Sequence, residues 1–340
     1  SAALGACRYH LTDADIPLAL STLQEHGVQH MVYIGGNDSA DTSHRLALAA
    51  AEQNTGLRVI AVPKTIDNDL PVTDHCPGYG SAARYIAIAT LETTLDTRAM
   101  PDIYPVKILE TMGRHAGWLA AASALARSTG WETPHIILIP EYPRDIEEIL
   151  EDVRQVYSQK GHVIIVLSEN VRCRDGRPLS VAGMEALNNV QPGQASSPDF
   201  VDSFGHAYYR GSVGTGTVLS QLITRRLDLR ARVDQPGTLQ RMSQAHQSEV
   251  DLIESEECGR AAVRAALAGT TDQMVILERA EQPTYRCTIG MSDLEAIANI
   301  EKRMPSDYIV PEGNDVTGAF IDYALPLIGE QLPQFVELLS

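Results

Sequence analysis

A succession of unbroken apolar runs, each followed by a polar loop or an amphipathic stretch, limits the fold of this chain more than any other feature. HMVYIGG (30–36) precedes the helical HRLALAAAEQ, and LRVIAV (57–62) precedes, after a loop, SAARYIAIATLETTL. VKILETM (106–112) leads into GWLAAASALARS, HIILIPE (135–141) into DIEEILEDVRQVYSQ, and HVIIVLSE (162–169) reads as the next strand. Further on, QSEVDLIESEECGRAAVRAALAG reads as a helix and QMVILER (273–279) as a strand. A strand with one wet face alternates polar and apolar residues. These runs do not, so both of their faces are buried. Strand–helix alternation then predicts an α/β fold with mostly parallel sheets covered by helices on both sides. Such folds bind ligands beyond the carboxyl ends of their strands, and the charged clusters of this chain fall at those ends. Segment 171–215 is rich in Gly, Pro, Ser and Asn with weak periodicity, and it reads as an extended loop.

At 340 residues the chain holds one very large domain or two ordinary ones. A formal net charge of −17 leaves no basic footprint for nucleic acid. A chain this acidic binds phosphate only where it concentrates its few cations. The cysteines (Cys7, Cys76, Cys173, Cys258 and Cys287) are odd in number, widely spaced and without a CxxC. A disulfide framework or zinc site is therefore not expected, and a reducing cytoplasm fits. No apolar run reaches membrane-spanning length, and no signal peptide is read at residue 1, so no membrane partner is expected.

Four clusters carry chemistry. In YIGGNDS (33–39), Gly35 and Gly36 let the backbone approach a ligand, and the helix that follows offers free N–H groups to an anion. Ser39 also suits a helix cap. VPKTIDNDL (62–70) sets Lys64 beside Asp67 and Asp69. One carboxylate can take the proton of an attacking hydroxyl. The lysine can meet charge on a transferring phosphoryl group. The second carboxylate can hold Mg²⁺, usually through water. The competing reading is a solvated loop with an Asx-turn at Asn68. In ETMGRHAGW (110–118), Gly113 permits close approach and Arg114 offers a planar fork to phosphate, while His115 can serve as a base but better suits a helix start. Glu169 ends the run HVIIVLSE as a strand-end carboxylate that can accept from sugar hydroxyls or cap the next segment. RVDQPGTLQR (232–241) brackets a Pro-Gly turn with Arg232 and Arg241, which can close on a phosphate or stand as surface cations. Arg225, Arg226 and Arg230 read as the exposed face of a helix.

GGNDS, PKTIDND, ETMGRHAGW, VLSE and PGTLQR occur in the order and approximate spacing of the phosphofructokinase family, which the chain resembles from residue 2 to residue 330. Asp38 and Lys64 stand where ATP-dependent members carry glycine, so the chain is most similar to the pyrophosphate-dependent members. A side chain at position 38 takes space a nucleotide would need, and Lys64 supplies charge for the transferred group and the departing phosphate.

The resemblance implies two Rossmann-like lobes of three layers each. One, for the phosphoryl donor, comprises 1–97 plus 236–290; the family's opening strand and GGxxPG loop are not read among residues 1–340, so either they precede Ser1 or the donor is not held in the family's usual way. The other, for fructose 6-phosphate, comprises 98–235 plus 291–340. Asp67 resembles the general base, assisted by Lys64 and Asp38. Thr65, Ile66, Asp67, Met112, Gly113, Arg114, Glu169, Arg232, Thr238, Leu239, Gln240 and Arg241 match the sugar-phosphate site, with one arginine usually lent by a neighbouring subunit. Arg8, Gly35, Gly36, Asp38, Ser39 and Lys64 match the donor site, and Asn37 and Asp69 the Mg²⁺ site. Asn37 replaces an aspartate of the family and Thr238 a tyrosine or histidine. The implied activity is Mg²⁺-dependent phosphoryl transfer from pyrophosphate to fructose 6-phosphate in a cytoplasmic homodimer or homotetramer. The alternatives are an ATP-dependent or promiscuous sugar-phosphate kinase and a silent sugar-phosphate-binding homologue.

Overall fold

The computed structural model describes residues 5, 9, 11–188, 200–201, 207–208, 214–280 and 284–335. Helix α1 (Ile16–Glu25) precedes a β–α–β unit of β1 (His30–Gly35), α2 (Asn37–Glu52) and β2 (Arg58–Pro63). A long loop leads to α3 (Tyr79–Ala99), then β3 (Val106–Thr111), the short α4 (Trp118–Ala122), β4 (Ile136–Leu138), α5 (Ile146–Lys160) and β5 (Val163–Ser168). Helix α6 (Leu179–Asn188), the short pair β6 (Phe200–Val201) and β7 (Ala207–Tyr208), α7 (Thr215–Leu227) and β8 (Ala231–Asp234) follow. The chain then returns through α8 (Glu249–Leu267), β9 (Gln273–Arg279) and β10 (Cys287–Asp293) and ends its described course in α9 (Gly318–Ala324).

Two four-stranded sheets result, ordered β1-β2-β9-β10 and β4-β5-β3-β8. The second is parallel throughout; the first is parallel except for β10, which pairs antiparallel with β9. The expected mostly parallel α/β architecture is thus present. Strand β5 is buried at every residue, as a strand covered on both faces must be. The first sheet draws on residues 30–63 and 273–293, the second on 106–168 and 231–234, and β10 crosses residue 290, where the sequence reading divides the lobes.

Helix α3 packs on β3 and β5 of the second sheet and against α4 and α8. It is buried around most of its circumference, which only a helix inside the protein can be. Its Thr90, Thr94 and Thr97 hydroxyls donate back to the carbonyls four residues earlier, at 2.7, 2.7 and 2.9 Å, so they need no solvent. Together with α4, α9 and the inner face of the second sheet it forms the largest apolar cluster, centred on Tyr79, Trp118 and Phe320. Among the described residues no helix is long and apolar enough to cross a membrane.

Segment 171–215 is not loop throughout, because α6 occupies Leu179–Asn188. Its Leu179, Ala182 and Leu187 face the second core, but a helix this short, sitting between glycine- and proline-rich stretches, gives too few turns for its period to stand out. Residues 189–199, 202–206 and 209–213 of that expectation lie outside the described residues. The proposed arginine face is also corrected: α7 ends at Leu227, so Arg230 lies beyond it. Arg226 pairs with Glu147 at 2.9 Å, and Arg225 donates to Leu187 O at 2.8 Å.

Candidate active site

The carboxyl ends of β1, β2, β3 and β5 deliver the candidate residues. Lys64 N donates to Gly35 O at 2.9 Å, which sets the loop after β2 against the loop after β1. A Cβ on Gly35 would lie 1.9 Å from Ser39 Oγ, so the Ser39 side chain packs directly on that glycine. Ser39 is therefore not the cap expected of it; Gly36 is the N-cap and Ser39 sits inside the first turn of α2. Asp38, also in that first turn, is exposed, as is Lys64. Arg8 lies outside the described residues.

In the TIDND loop, Asp67 N donates to Thr65 Oγ1 at 3.1 Å, and Thr65 forms an isolated parallel bridge with Gly78. Ile66 packs on the central apolar cluster. The solvated-loop reading fails here. Asn68 is fully buried, with φ 55°, and its amide bonds inward: Cys76 N donates to Oδ1 at 3.0 Å and Nδ2 donates to Tyr323 Oη at 2.9 Å. Asn68 is thus a buried clamp in the backbone between the two acids.

Asp67 is half-buried as a residue, yet its Oδ1 is sealed from solvent without a hydrogen-bond partner. Burial, then the nearby Asp69 and Glu169 carboxylates, push its pKa up to about 7, against the opposing pull of Arg114 and Lys64. Lys64 and Asp69 follow β2 of the first sheet, and Arg114 and Glu169 follow β3 and β5 of the second, so charged groups from the ends of both sheets act on one carboxylate. Burial also raises Asp69, opposed by hydrogen bonds from its own amide and from Thr65. Glu169 is raised by burial and held down in part by Arg114, whose Nε lies 4.0 Å from Glu169 Oε1.

Gly113 has φ 124°, and a Cβ there would meet Ala116 O at 2.5 Å, so the turn that presents Arg114 requires glycine. Ser168 Oγ donates to Gly113 O, and Asn170 Nδ2 donates to Arg114 O at 2.8 Å. His115 does not start the helix; it is exposed in the loop before α4, with Nδ1 3.6 Å from Glu301 Oε1. The PGTLQR segment forms a 3₁₀ turn, Gly237–Arg241, whose buried Gln240 accepts from Met112 N at 3.1 Å and donates to Gly237 O at 2.8 Å. Gln240 thereby docks the turn on the Met112–Gly113–Arg114 loop and leaves Thr238, Leu239 and Arg241 exposed.

Arg232 is not brought to this cluster. In the β3–β8 register it pairs with Lys107, near the amino end of the sheet, and its guanidinium stacks on Tyr104 at 4.3 Å. Lys107 is buried and takes no part in the cluster either, pairing with Asp234 at 2.9 Å and Asp96 at 3.1 Å. The expectation that every charged cluster lies at a carboxyl end fails for Arg232, because β8 is only four residues long and Arg232 enters it one residue after its start.

Asn37 does not project freely either. Its Nδ2 donates to Ile300 O at 2.5 Å and its Oδ1 accepts from Asn299 N at 2.6 Å. Among the described residues no group of three or more His, Cys, Asp or Glu side chains forms a ready metal cage. Segment 299–304, which carries no motif, was not singled out in the sequence, yet it also reaches Asp69 and Glu141.

A model of the family described as Phosphofructokinase matches residues 1–266. The chain belongs to the phosphofructokinase family. A relative from Xanthomonas campestris pv. campestris (strain B100), named pyrophosphate–fructose 6-phosphate 1-phosphotransferase, is 37% identical over 337 residues, covering 97% of this chain and 76% of the relative. A relative of a different name, the sulfofructose kinase of Alkalicoccus urumqiensis, is 33% identical over 312 residues, covering 91% of this chain and 75% of its own. The crystal structure of a pyrophosphate-dependent phosphofructokinase from Marinobacter aquaeolei superposes with a TM-score of 0.81 at 34% identity, covering 98% of this chain and 76% of that one.

Proposed function

We propose that the protein transfers a phosphoryl group from pyrophosphate to the 1-hydroxyl of fructose 6-phosphate, giving fructose 1,6-bisphosphate and phosphate. The observation that carries this reading is Asp67: a carboxylate with a sealed, partnerless oxygen and a pKa of about 7, set where both sheets end. A general base works best with a pKa near the working pH. Asp67 takes the proton of the sugar hydroxyl as that oxygen attacks phosphorus in line. Phosphoryl transfer is otherwise a matter of positioning and charge. Arg114 and Arg241 hold the sugar phosphate, and Glu169 accepts from the sugar. Met112 and Gly113 give the backbone its approach, with Thr65, Ile66, Thr238, Leu239 and Gln240 lining the site. Gly35, Gly36 and Ser39 form the floor of the donor site, where the exposed Lys64 stabilises the transferring group and the departing phosphate, and Asp38 narrows the space a nucleotide would need.

Mg²⁺ fits this donor set. Asp69 would hold it, together with water and the pyrophosphate oxygens, since Mg²⁺ is usually bound through one or two carboxylates plus substrate phosphates rather than a protein cage. Asn37, its amide already engaged, supplies at most a carbonyl lone pair. The ion's contribution when bound is to neutralise charge on the donor. Lys64 does the same from the protein side.

Arg232, remote from the site of its own chain, is the arginine that a neighbouring subunit would receive, so we read the enzyme as a homodimer or homotetramer. We divide the lobes as the sequence does, with the crossing at 290 moved past Asp293 so that β10 stays whole. The cytoplasm is the compartment proposed, in keeping with Cys76, Cys173, Cys258 and Cys287, which are all free. A coupled assay with pyrophosphate or ATP as sole donor tests the reading: turnover with pyrophosphate supports it, and turnover with ATP alone overturns it. The Alkalicoccus relative motivates one second reading, a different sugar acceptor, which the same assay decides when sulfofructose replaces fructose 6-phosphate.

A further inference from the structure

The segment from Asn299 to Met304 touches three of the loops that build the cleft. It holds the GGNDS loop through the two Asn37 hydrogen bonds, and Asn299 Nδ2 donates to Asp41 Oδ1 at 2.8 Å. It holds the TIDND loop through Lys302 N, which donates to Asp69 O at 2.7 Å. It holds the MGRHAGW loop through Trp118 Nε1, which donates to Lys302 O at 3.4 Å, and through Met304 N, which donates to Glu141 Oε1 at 3.1 Å. Glu141 in turn accepts from Gly117 N at 3.0 Å.

The side chain of Lys302 reaches the loop that carries the two acids. Its Nζ donates to Asp74 O at 2.8 Å, to Thr73 O at 3.2 Å and to Asn68 Oδ1 at 3.4 Å, and it lies 5.2 Å from the centre of the Trp118 ring. An ammonium has three donors, and here each has an acceptor. Asn68, the residue between Asp67 and Asp69, is thus fixed from three sides: by Cys76 N, by Tyr323 and by Lys302. Tyr323 closes the ring by donating to Asp74 O at 2.9 Å.

We propose that Lys302 is a positioning residue for phosphoryl transfer: its ammonium fixes Asn68, and so the backbone from which Asp67 and Asp69 project, while its own backbone ties the TIDND loop to Trp118 at the start of α4. The proposal rests on the reading of Asp67 as the base. Lys302 touches no substrate in this scheme. Its contribution is geometric, and a displacement of about 1 Å in a reacting group can cost about 10²-fold in rate. Binding of the sugar phosphate, through Arg114 and Arg241, does not pass through Asn68.

The test is a split between kcat and KM. In Lys302→Met, kcat per folded molecule should fall by about 10- to 100-fold while KM for each substrate stays within about threefold. Tyr323→Phe, which removes only a hydroxyl from the same ring, should lower kcat by about three- to tenfold, again with KM held. The double variant should lose less than the product of the two, because both act through Asn68. A kcat within about twofold of the parent, a rise in KM that accounts for the lost kcat/KM, or strictly multiplicative losses would overturn the proposal. If Lys302→Met does not fold, Tyr323→Phe decides alone, and an unchanged kcat there is equally fatal. Should Asp67→Asn keep full turnover, the base assignment fails and this proposal with it. Should Asp67→Asn lose turnover while Lys302→Met keeps it, the positioning proposal alone fails.

Discussion

Replacing Asp67 with asparagine separates what the site does for catalysis from what it costs in stability. The folded protein holds this carboxyl at about 7, well above the ordinary carboxylate value of 3.8, mainly because burial disfavours the charged form. A folded pKa above the unfolded one means that stability is fully present below the unfolded pKa. It is then lost as pH rises toward the folded pKa, because the unfolded chain has already released the proton that the folded one still holds. Above pH 7 the loss levels off. With each pKa unit equal to about 1.4 kcal/mol, ionisation of this one group destabilises the fold by about 2 kcal/mol at pH 5 and about 4 kcal/mol at pH 8. Asparagine keeps the shape and carries no charge. Asp67→Asn should therefore be more stable than the parent, by an increment that grows by about 2 kcal/mol between pH 5 and pH 8. Its turnover should fall by about 10²- to 10⁴-fold, the usual contribution of a general base. The assays are denaturant unfolding of both proteins at the two pH values, without substrate or divalent ion, and initial rates at saturating substrate. A stability difference that does not depend on pH would refute the buried-carboxylate reasoning, and a variant with parental turnover would refute the role of base.

Two other perturbations probe separate parts of the molecule. Arg232→Ala should raise KM for the sugar phosphate by about tenfold or more, as loss of a charged contact to phosphate does. Co-assembly of its chains with those of Asp67→Asn should restore part of the turnover that each variant lacks alone. No restoration, at any mixing ratio that yields mixed oligomers, would place Arg232 outside a shared site. His135 is held neutral, its pKa pushed down to about 4 by burial, while Ile164 N donates to its Nδ1 at 3.0 Å. A depressed histidine leaves stability intact above its unfolded value and drains it as pH falls from about 6.5 to about 4. His135→Asn, which keeps an acceptor in place of Nδ1, should reduce that acid-side loss by about 2 to 3 kcal/mol, measured by unfolding across the range, and an unaltered pH profile would exclude His135 as its source.

How much of this was readable in the chain follows from what each element owes to local sequence. Strands β2, β3, β5 and β9 stood out because burial on both faces leaves unbroken apolar runs, and their ends located Lys64, Met112 and Glu169. The parallel sheets followed from the same pattern, although the antiparallel β10, half-buried and mixed in composition, did not. Asn68 was misjudged because an asparagine between two aspartates has the composition of a surface turn; only the placement of Cys76, Tyr323 and Lys302 makes it a buried clamp. Lys302 itself gave no signal. ANIEKRMP has neither period nor motif, and its contacts reach back more than two hundred residues to Asn37 and Asp69. Arg232 was legible as a cation bracketing a turn, but its position at the amino end of the sheet depends on the β3–β8 register, which no local pattern encodes.

The account turns on the choice of phosphoryl donor, and the ratio of kcat/KM with pyrophosphate to that with ATP, measured on the parent and on Lys64→Gly at constant fructose 6-phosphate, tests it most directly. The parent should favour pyrophosphate by about 10²-fold or more, and removing the ammonium should cut the pyrophosphate value by at least about tenfold while leaving the small ATP value where it was. A parent that turns over ATP as readily as pyrophosphate, or a glycine variant with undiminished use of pyrophosphate, would contradict it.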